Sequence, residues 1–275
     1  MKILCVLVLY QQKLYDCASY NSLLKYVLCT DVQLFIYDNS PEPAHRQDEF
    51  ESAFVHYVSD TTNPGVSTGY NKAAIYACGN GFNKLLLLDQ DSFFKSNSYV
   101  HDCVRLAKAY PAVKLFAPIV VTKQALSMSP RKLICKIPVK KSFSPDCIYP
   151  LTNIGIINSG IFVDVDAYLQ VGGYNENVFL DYSDYQFIDK FSVAFKNFYL
   201  INSVIIQDFS NNQTDKIHLL HRFVLFHRSL SQYECNSFFD KYCLRFIVLK
   251  RCLSLTFRCK SLCFIKSFFV KYLFL

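Results

Sequence analysis

The sequence predicts an α/β protein built on a mostly parallel sheet flanked by helices, with a basic, apolar helical tail. Three observations carry that prediction. The chain opens on an uninterrupted aliphatic run, Ile3–Tyr10, of the kind found in strands buried on both faces. Apolar runs of strand length then alternate with stretches of helical periodicity as far as Val121, which implies βαβ units and right-handed crossovers. The runs end on polar clusters, at the sheet edge where open α/β folds bind ligands.

Each element has its own justification. Leu14–Cys29 spaces its apolar residues at helical intervals. Val32–Tyr37 is a second strand, stopped by the turn-forming Asp38-Asn39-Ser40-Pro41. Phe54–Val58 reads as a third strand, Gly69–Cys78 as a helix behind the Asn63-Pro64-Gly65 loop, and Leu85–Leu88 as a fourth strand ending at Asp89-Gln90-Asp91-Ser92. Tyr99–Ala109 is a helix and Val113–Val121 a strand. Residues 122–145 carry six basic residues and no acid, with Pro130, Pro138 and Pro145 among them, and read as a long, mobile surface insertion. Asn158–Val163 resumes strand character, Asp164-Val165-Asp166 caps a helix, and Gly172-Gly173 marks a turn.

Composition narrows the function classes. A chain of 275 residues with 52% apolar and 19% charged residues is no disordered chain, and it is long enough to bury a sizeable core without disulfides. The net charge is +7, yet residues 241–275 hold eight basic residues and no acid, which leaves about −1 over residues 1–240. The body is therefore no general polyanion binder, and no nucleic-acid partner is expected. The twelve cysteines are scattered, with no CxxC pair and no histidine at zinc spacing, which reads as a reduced, cytoplasmic protein. No stretch approaches the roughly 18–20 apolar residues of a spanning helix. The tail interleaves aromatic and aliphatic residues with positive charge, which suits the inner surface of a membrane, although its charges fall all round a helix axis.

Three segments hold candidate chemistry. Asp89 and Asp91, one residue apart at a strand end, can both reach a hard divalent cation. The loop from Asn63 through Gly65 to Asn71 enters a helix and lets backbone N–H groups approach phosphate or sugar. Asp181 and Asp184 lie in an aromatic stretch, Phe179–Tyr185, where burial would raise a carboxylate's pKa and make it a better base. Taken alone, each also reads as a turn, a cap or a chance acidic pair.

Their order is more specific. Val6–Tyr10, Tyr37-Asp38-Asn39-Ser40, Asn63-Pro64-Gly65 through Asn71, Leu86–Ser92, Asn158-Ser159-Gly160, Gly172–Glu176 and Phe179–Asp184 follow one another as in glycosyltransferase family 2, and Arg222 and Arg228 match a later R-x(5)-R element. The chain resembles that family over about residues 3–230, most closely its rhamnosyltransferase-like branch. The resemblance implies a GT-A domain over 1–235, with a nucleotide-sugar-binding half (1–121) and an acceptor and catalytic-base half (150–235), followed by the tail 236–275. It implies inverting transfer of a sugar, with rhamnose from a deoxythymidine diphosphate donor as the branch-level expectation, to a glycan or lipid-linked glycan of a bacterial surface polysaccharide. It assigns the base to Asp184, with Asp181 as fallback. Donor contacts fall to Tyr10, Asp38, Asn63, Gly65, Asn71, Asp89 and Asp91, the acceptor side to Ser159 and Gly160, and Mg²⁺ or Mn²⁺ to Asp91 and Asp89. The chain departs from the family at Gln186, Lys190 and Gln207, the last standing where a metal-binding His is common; Asp208 is a substitute ligand. These departures keep a decayed membrane-associated binding or scaffold protein open as an alternative. A sugar-phosphate nucleotidyltransferase is the other, although Tyr10-Gln11-Gln12 lacks the phosphate loop expected after its first strand.

Overall fold

The computed structural model describes residues 1–50, 54–207, 215–235 and 237–272. The parallel heart of the sheet is β1 (Ile3–Leu9), β2 (Val32–Asp38), β3 (Val55–Ser59) and β4 (Lys84–Asp89), in the order β3-β2-β1-β4. Every residue of β1 is buried, as expected for a strand covered on both faces. One face packs Cys5, Leu7 and Leu9 towards Leu23, Leu24, Cys103 and Leu106; the other packs Leu4, Val6 and Val8 towards Tyr70, Ala73 and Ala77. The helices that cover the sheet include α2 (Val66–Gly79) and α3 (Tyr99–Ala109). Between β1 and β2 the helical stretch is broken rather than continuous: a single turn Leu14–Asp16, a wide turn Tyr20–Leu24 and the short α1 (Lys25–Val27).

The sheet continues past β4 through β12 (Phe162–Asp164), β6 (Leu115–Val121), β13 (Asn197–Gln207) and β10 (Cys147–Pro150), while β5 (Ser92–Phe94) pairs with β13 and β7 (Ser127–Ser129) with β6. β12 is antiparallel to both neighbours. It is shorter than the sequence predicts, because Asn158-Ser159-Gly160 forms a loop and Gly160 takes a left-handed φ of 82°. Asp164 precedes α4 (Val165–Gln170) without capping it; its carboxylate binds Lys84 and Lys114 instead.

The predicted surface insertion contains strands. β8 (Arg131–Ile134) and β9 (Ile137–Val139) form a hairpin that pairs with β11 (Ile154–Gly155). Its two-residue turn, Cys135-Lys136, has φ values of 49° and 61°, the sign of a type I′ turn. Neither residue signals that turn from sequence, since Asn-Gly is its usual mark. Pro138 is tolerated because β9 is an edge strand. Lys136 is buried and forms ion pairs with Asp189 and Asp240.

The helix α5 (Ser183–Ala194) is followed, after β13, by α6 (Lys216–Ser231), α7 (Phe238–Cys259) and α8 (Cys263–Tyr272). Phe223, Phe226 and Leu230 of α6 share a separate core with Leu244, Ile247, Val248 and Leu255 of α7 and Phe264 of α8. The tail is thus a pair of helices seated on α6. Among the described residues no helix is long and apolar enough to cross a membrane. All twelve cysteines are free.

Candidate active site

The register of the parallel strands sets the site. Leu9 lies beside Asp38, and Val8 beside Asp89, so the carboxyl ends of β1, β2 and β4 open at one level. Tyr10 follows β1 and is exposed; its N–H donates to Gln90 Oε1 at 2.8 Å. The middle residue of the Asp-Gln-Asp turn thereby ties β4 to β1, a role that no spacing in the sequence announces.

Asp89 is the hub. Its Oδ1 accepts from the Tyr70 hydroxyl and Asn158 Nδ2, each at 3.0 Å. Its Oδ2 accepts from the Ser159 hydroxyl at 2.6 Å and Gln207 Nε2 at 3.0 Å. Four donors use the roughly four lone-pair sites of a carboxylate. Burial pushes the Asp89 carboxyl up, while the bonds from Ser159, Tyr70 and Gln207 pull it back. Ser159 and Gly160, expected on the acceptor side, serve this hub: Ser159 clamps Asp89, and the Gly160 carbonyl accepts from the buried Tyr99 hydroxyl.

Gln207 Nε2 also donates to Asp91 Oδ1 at 3.2 Å, while its own Oε1 is buried without a hydrogen-bond partner. Turning this amide over would set Oε1 against two carboxylate oxygens, a contact that a cation between them stabilises. Asp91 and Gln207 therefore fit a hard, oxygen-seeking dication. Asp89, expected as a ligand beside Asp91, is held by its four donors. Among the described residues no group of three or more His, Cys, Asp and Glu is placed to hold a metal. Asp208 lies outside the described residues.

The expected donor contacts divide. Asp38 is fully buried, accepting from the Tyr57 hydroxyl at 2.7 Å and from Ser40 N–H at 3.0 Å. Both of its oxygens are thus engaged within the protein. Asn63 accepts from Asn39 Nδ2 at 2.7 Å, and Asn39 Oδ1 accepts from Gly65 N–H at 3.3 Å, so Asn39 joins the loops. Asn71 also points inward: its Nδ2 donates to the Tyr174 carbonyl and Glu176, and its Oδ1 accepts from the Tyr168 hydroxyl and Tyr174 N–H. It clasps the Gly172–Glu176 turn to α2 and is no free donor-binding group. Lys190 donates to the Gly172 and Gly173 carbonyls of the same turn.

Gly65 precedes α2 with φ 105°, and a Cβ there would stand 3.0 Å from the Phe179 carbonyl oxygen and ring. The loop and the Asp184 segment can approach so closely only with glycine. Gly65→Ala is expected to cost about 1–3 kcal/mol through the disfavoured backbone and this contact. Urea unfolding should give a lower midpoint at unchanged slope; an unshifted midpoint would mean the loop absorbs the methyl.

Asp184 sits in the first turn of α5 and is partly exposed. Burial by its surroundings pushes its carboxyl up to about 7, and the charges of Asp89 and Asp181 add to the shift. Asp181 is ion-paired through Oδ1 to Arg222 Nη2 at 3.0 Å, which ties its segment to α6, while its Oδ2 is buried without a hydrogen-bond partner. Gln186 is buried with neither amide atom hydrogen-bonded.

No family model matches the sequence, and no curated protein does. Solved structures do. A GalNAc-T7 structure with UDP, GalNAc and Mn²⁺ superposes with a TM-score of 0.56 at 10% identity, over 90% of this chain and 54% of that one. S. aureus TarS superposes at 0.57 and 12% identity, over 91% of this chain and 43% of that one, and TarS 1–349 at 0.53 and 11%, over 92% and 72%. This chain thus spans about half the length of GalNAc-T7 and less of TarS. The fold is GT-A, as the sequence predicts.

Proposed function

We propose that this protein is an inverting glycosyltransferase that moves a sugar from a nucleoside diphosphate to an acceptor hydroxyl. One observation carries the reading: on a GT-A sheet, a carboxyl raised to about 7 stands near a polar cluster at the carboxyl ends of β1 and β4. A base with a pKa near the working pH combines availability with driving force. Asp184 takes the acceptor proton as the acceptor oxygen bonds to the anomeric carbon. The bond from that carbon to the diphosphate oxygen breaks on the opposite face. Tyr10, Asn63 and Gly65 line the donor side, with Asp38 and Asn71 shaping it.

Asp91 and, with its amide turned over, Gln207 through Oε1 would hold Mg²⁺ or Mn²⁺ with the donor diphosphate. The bound ion would neutralise charge on the departing diphosphate. The resemblance in sequence makes deoxythymidine diphosphate rhamnose the first donor to try, and a lipid-linked surface-polysaccharide glycan the first acceptor class. Calorimetric titration of nucleoside diphosphates with Mn²⁺ tests the donor side. Asp91→Asn should weaken Mn²⁺-dependent binding on the order of tenfold or more, because a neutral amide is a poorer ligand. Equal Mn²⁺-dependent binding by Asp91→Asn would remove that residue from the metal role.

A further inference from the structure

The helix α7 has two apolar faces, and the fold uses one. Its inner face, with Leu244, Ile247, Val248, Cys252 and Leu255, is buried in the core shared with α6 and α8. On the outside, Phe239, Tyr242, Phe246, Leu249, Leu253 and Phe257 are each between 39% and 78% exposed. Their spacing of three or four residues holds them within an arc of about 80°, in a stripe about 27 Å long. Lys241 and Arg245 flank the stripe on one side, Lys250 and Arg258 on the other, and all four are exposed. The remaining basic residue of α7, Arg251, breaks the pattern in sequence but lies inside, its guanidinium 4.1 Å from the centre of the Phe226 ring. The one acid of α7, Asp240, is paired to Lys136.

We propose that this outer face of α7 lies on an anionic membrane surface, independently of how the active site is read. An apolar lane between two basic lanes is the arrangement of an interfacial helix: rings and aliphatic chains enter the acyl boundary while Lys and Arg stems carry their charges to lipid phosphates. Each basic residue near such a surface contributes about 1 kcal/mol. Charge complementarity selects anionic lipid, since residues 241–275 hold eight basic residues and no acid. The inner face keeps the helix folded without the stripe. Asp240 of α7 and Asp189 of α5 share Lys136, which fixes the end of α7 against the body of the protein.

The test is flotation of the full chain with vesicles of phosphatidylcholine alone and of phosphatidylcholine mixed with phosphatidylglycerol. The protein should float with the anionic vesicles at low salt, release as salt rises, and bind zwitterionic vesicles weakly. The triple variant Phe246→Ser, Leu253→Ser, Phe257→Ser should lose at least about tenfold in binding, with an unchanged circular dichroism spectrum and melting temperature. Arg245→Glu with Lys250→Glu should abolish the preference for anionic lipid. Absence of flotation with anionic vesicles, or equal binding by both variants, would overturn the proposal, as would a stripe-dependent dimer that ignores vesicles. Nucleoside-diphosphate binding by the same variants should be unaffected, which keeps this outcome separate from that of the functional reading.

Discussion

Asp184→Asn is expected to bind the donor nucleotide and metal as the native protein does and to transfer sugar about 10²–10⁴-fold more slowly, the usual contribution of a general base. An amide has nearly the same shape but cannot take the acceptor proton. The native rate should rise with pH through about 7, as the raised carboxyl ionises, and the variant should lack that limb. Stability gives a second readout. Folding lifts the Asp184 carboxyl from the ordinary aspartate range to about 7, so the folded state binds more protons than the unfolded state between those values. Its stabilising contribution is complete below the unfolded value and is lost as pH rises through about 7. Asp184→Asn should remove this part of the pH dependence and melt no lower than the native protein above neutral pH. Full transfer by this variant, with loss in Asp181→Asn instead, would move the base to Asp181.

Asp89→Leu carries the largest structural penalty. It leaves the Tyr70 and Ser159 hydroxyls and the Asn158 and Gln207 amides facing an apolar chain, in place of a carboxylate that accepts from all four. An unsatisfied polar group costs about 1–3 kcal/mol; Tyr70, Asn158 and Gln207 keep second partners in the Leu88 carbonyl, the Tyr70 hydroxyl and Asp91, so the total is about 3 kcal/mol, with the Ser159 hydroxyl losing most. For a chain of this size that corresponds to a fall of roughly 6–12 °C in melting temperature. Asp89→Asn should recover most of the stability, because hydroxyls and the Gln207 amide can turn to accept, yet it should still weaken donor binding. Thermal unfolding of both variants checks this; native-like melting of Asp89→Leu would mean that the hub is not holding the loops together.

The central strands, α2, α3 and the raised Asp184 carboxyl were legible because period, order and composition state them directly. Ile3–Leu9 reads as buried on both faces whatever follows, and Asp184 stands in an aromatic stretch that foretells a raised carboxyl. What a side chain faces was not legible. Asp38 and Asn71 belong to motifs associated with donor binding, but the structure turns both inward, onto Tyr57 and the Gly172–Glu176 turn. The basic stretch 122–145 read as solvated because Lys136 finds Asp189 and Asp240 only after some 50 and 100 residues of intervening chain. A helical wheel of the tail alone could not separate Arg251, which stacks on Phe226, from the charges on the surface.

The most direct test of the account is release of nucleoside diphosphate by the purified protein from a panel of nucleotide-sugars, with Mn²⁺ or Mg²⁺, in the presence and absence of lipid-linked glycan acceptors. The account predicts that at least one donor is turned over, faster with an acceptor, and that Asp184→Asn abolishes the acceptor-dependent part while still binding that donor. A panel in which no nucleotide-sugar is bound or cleaved, or in which Asp184→Asn transfers as fast as the native protein, would contradict it.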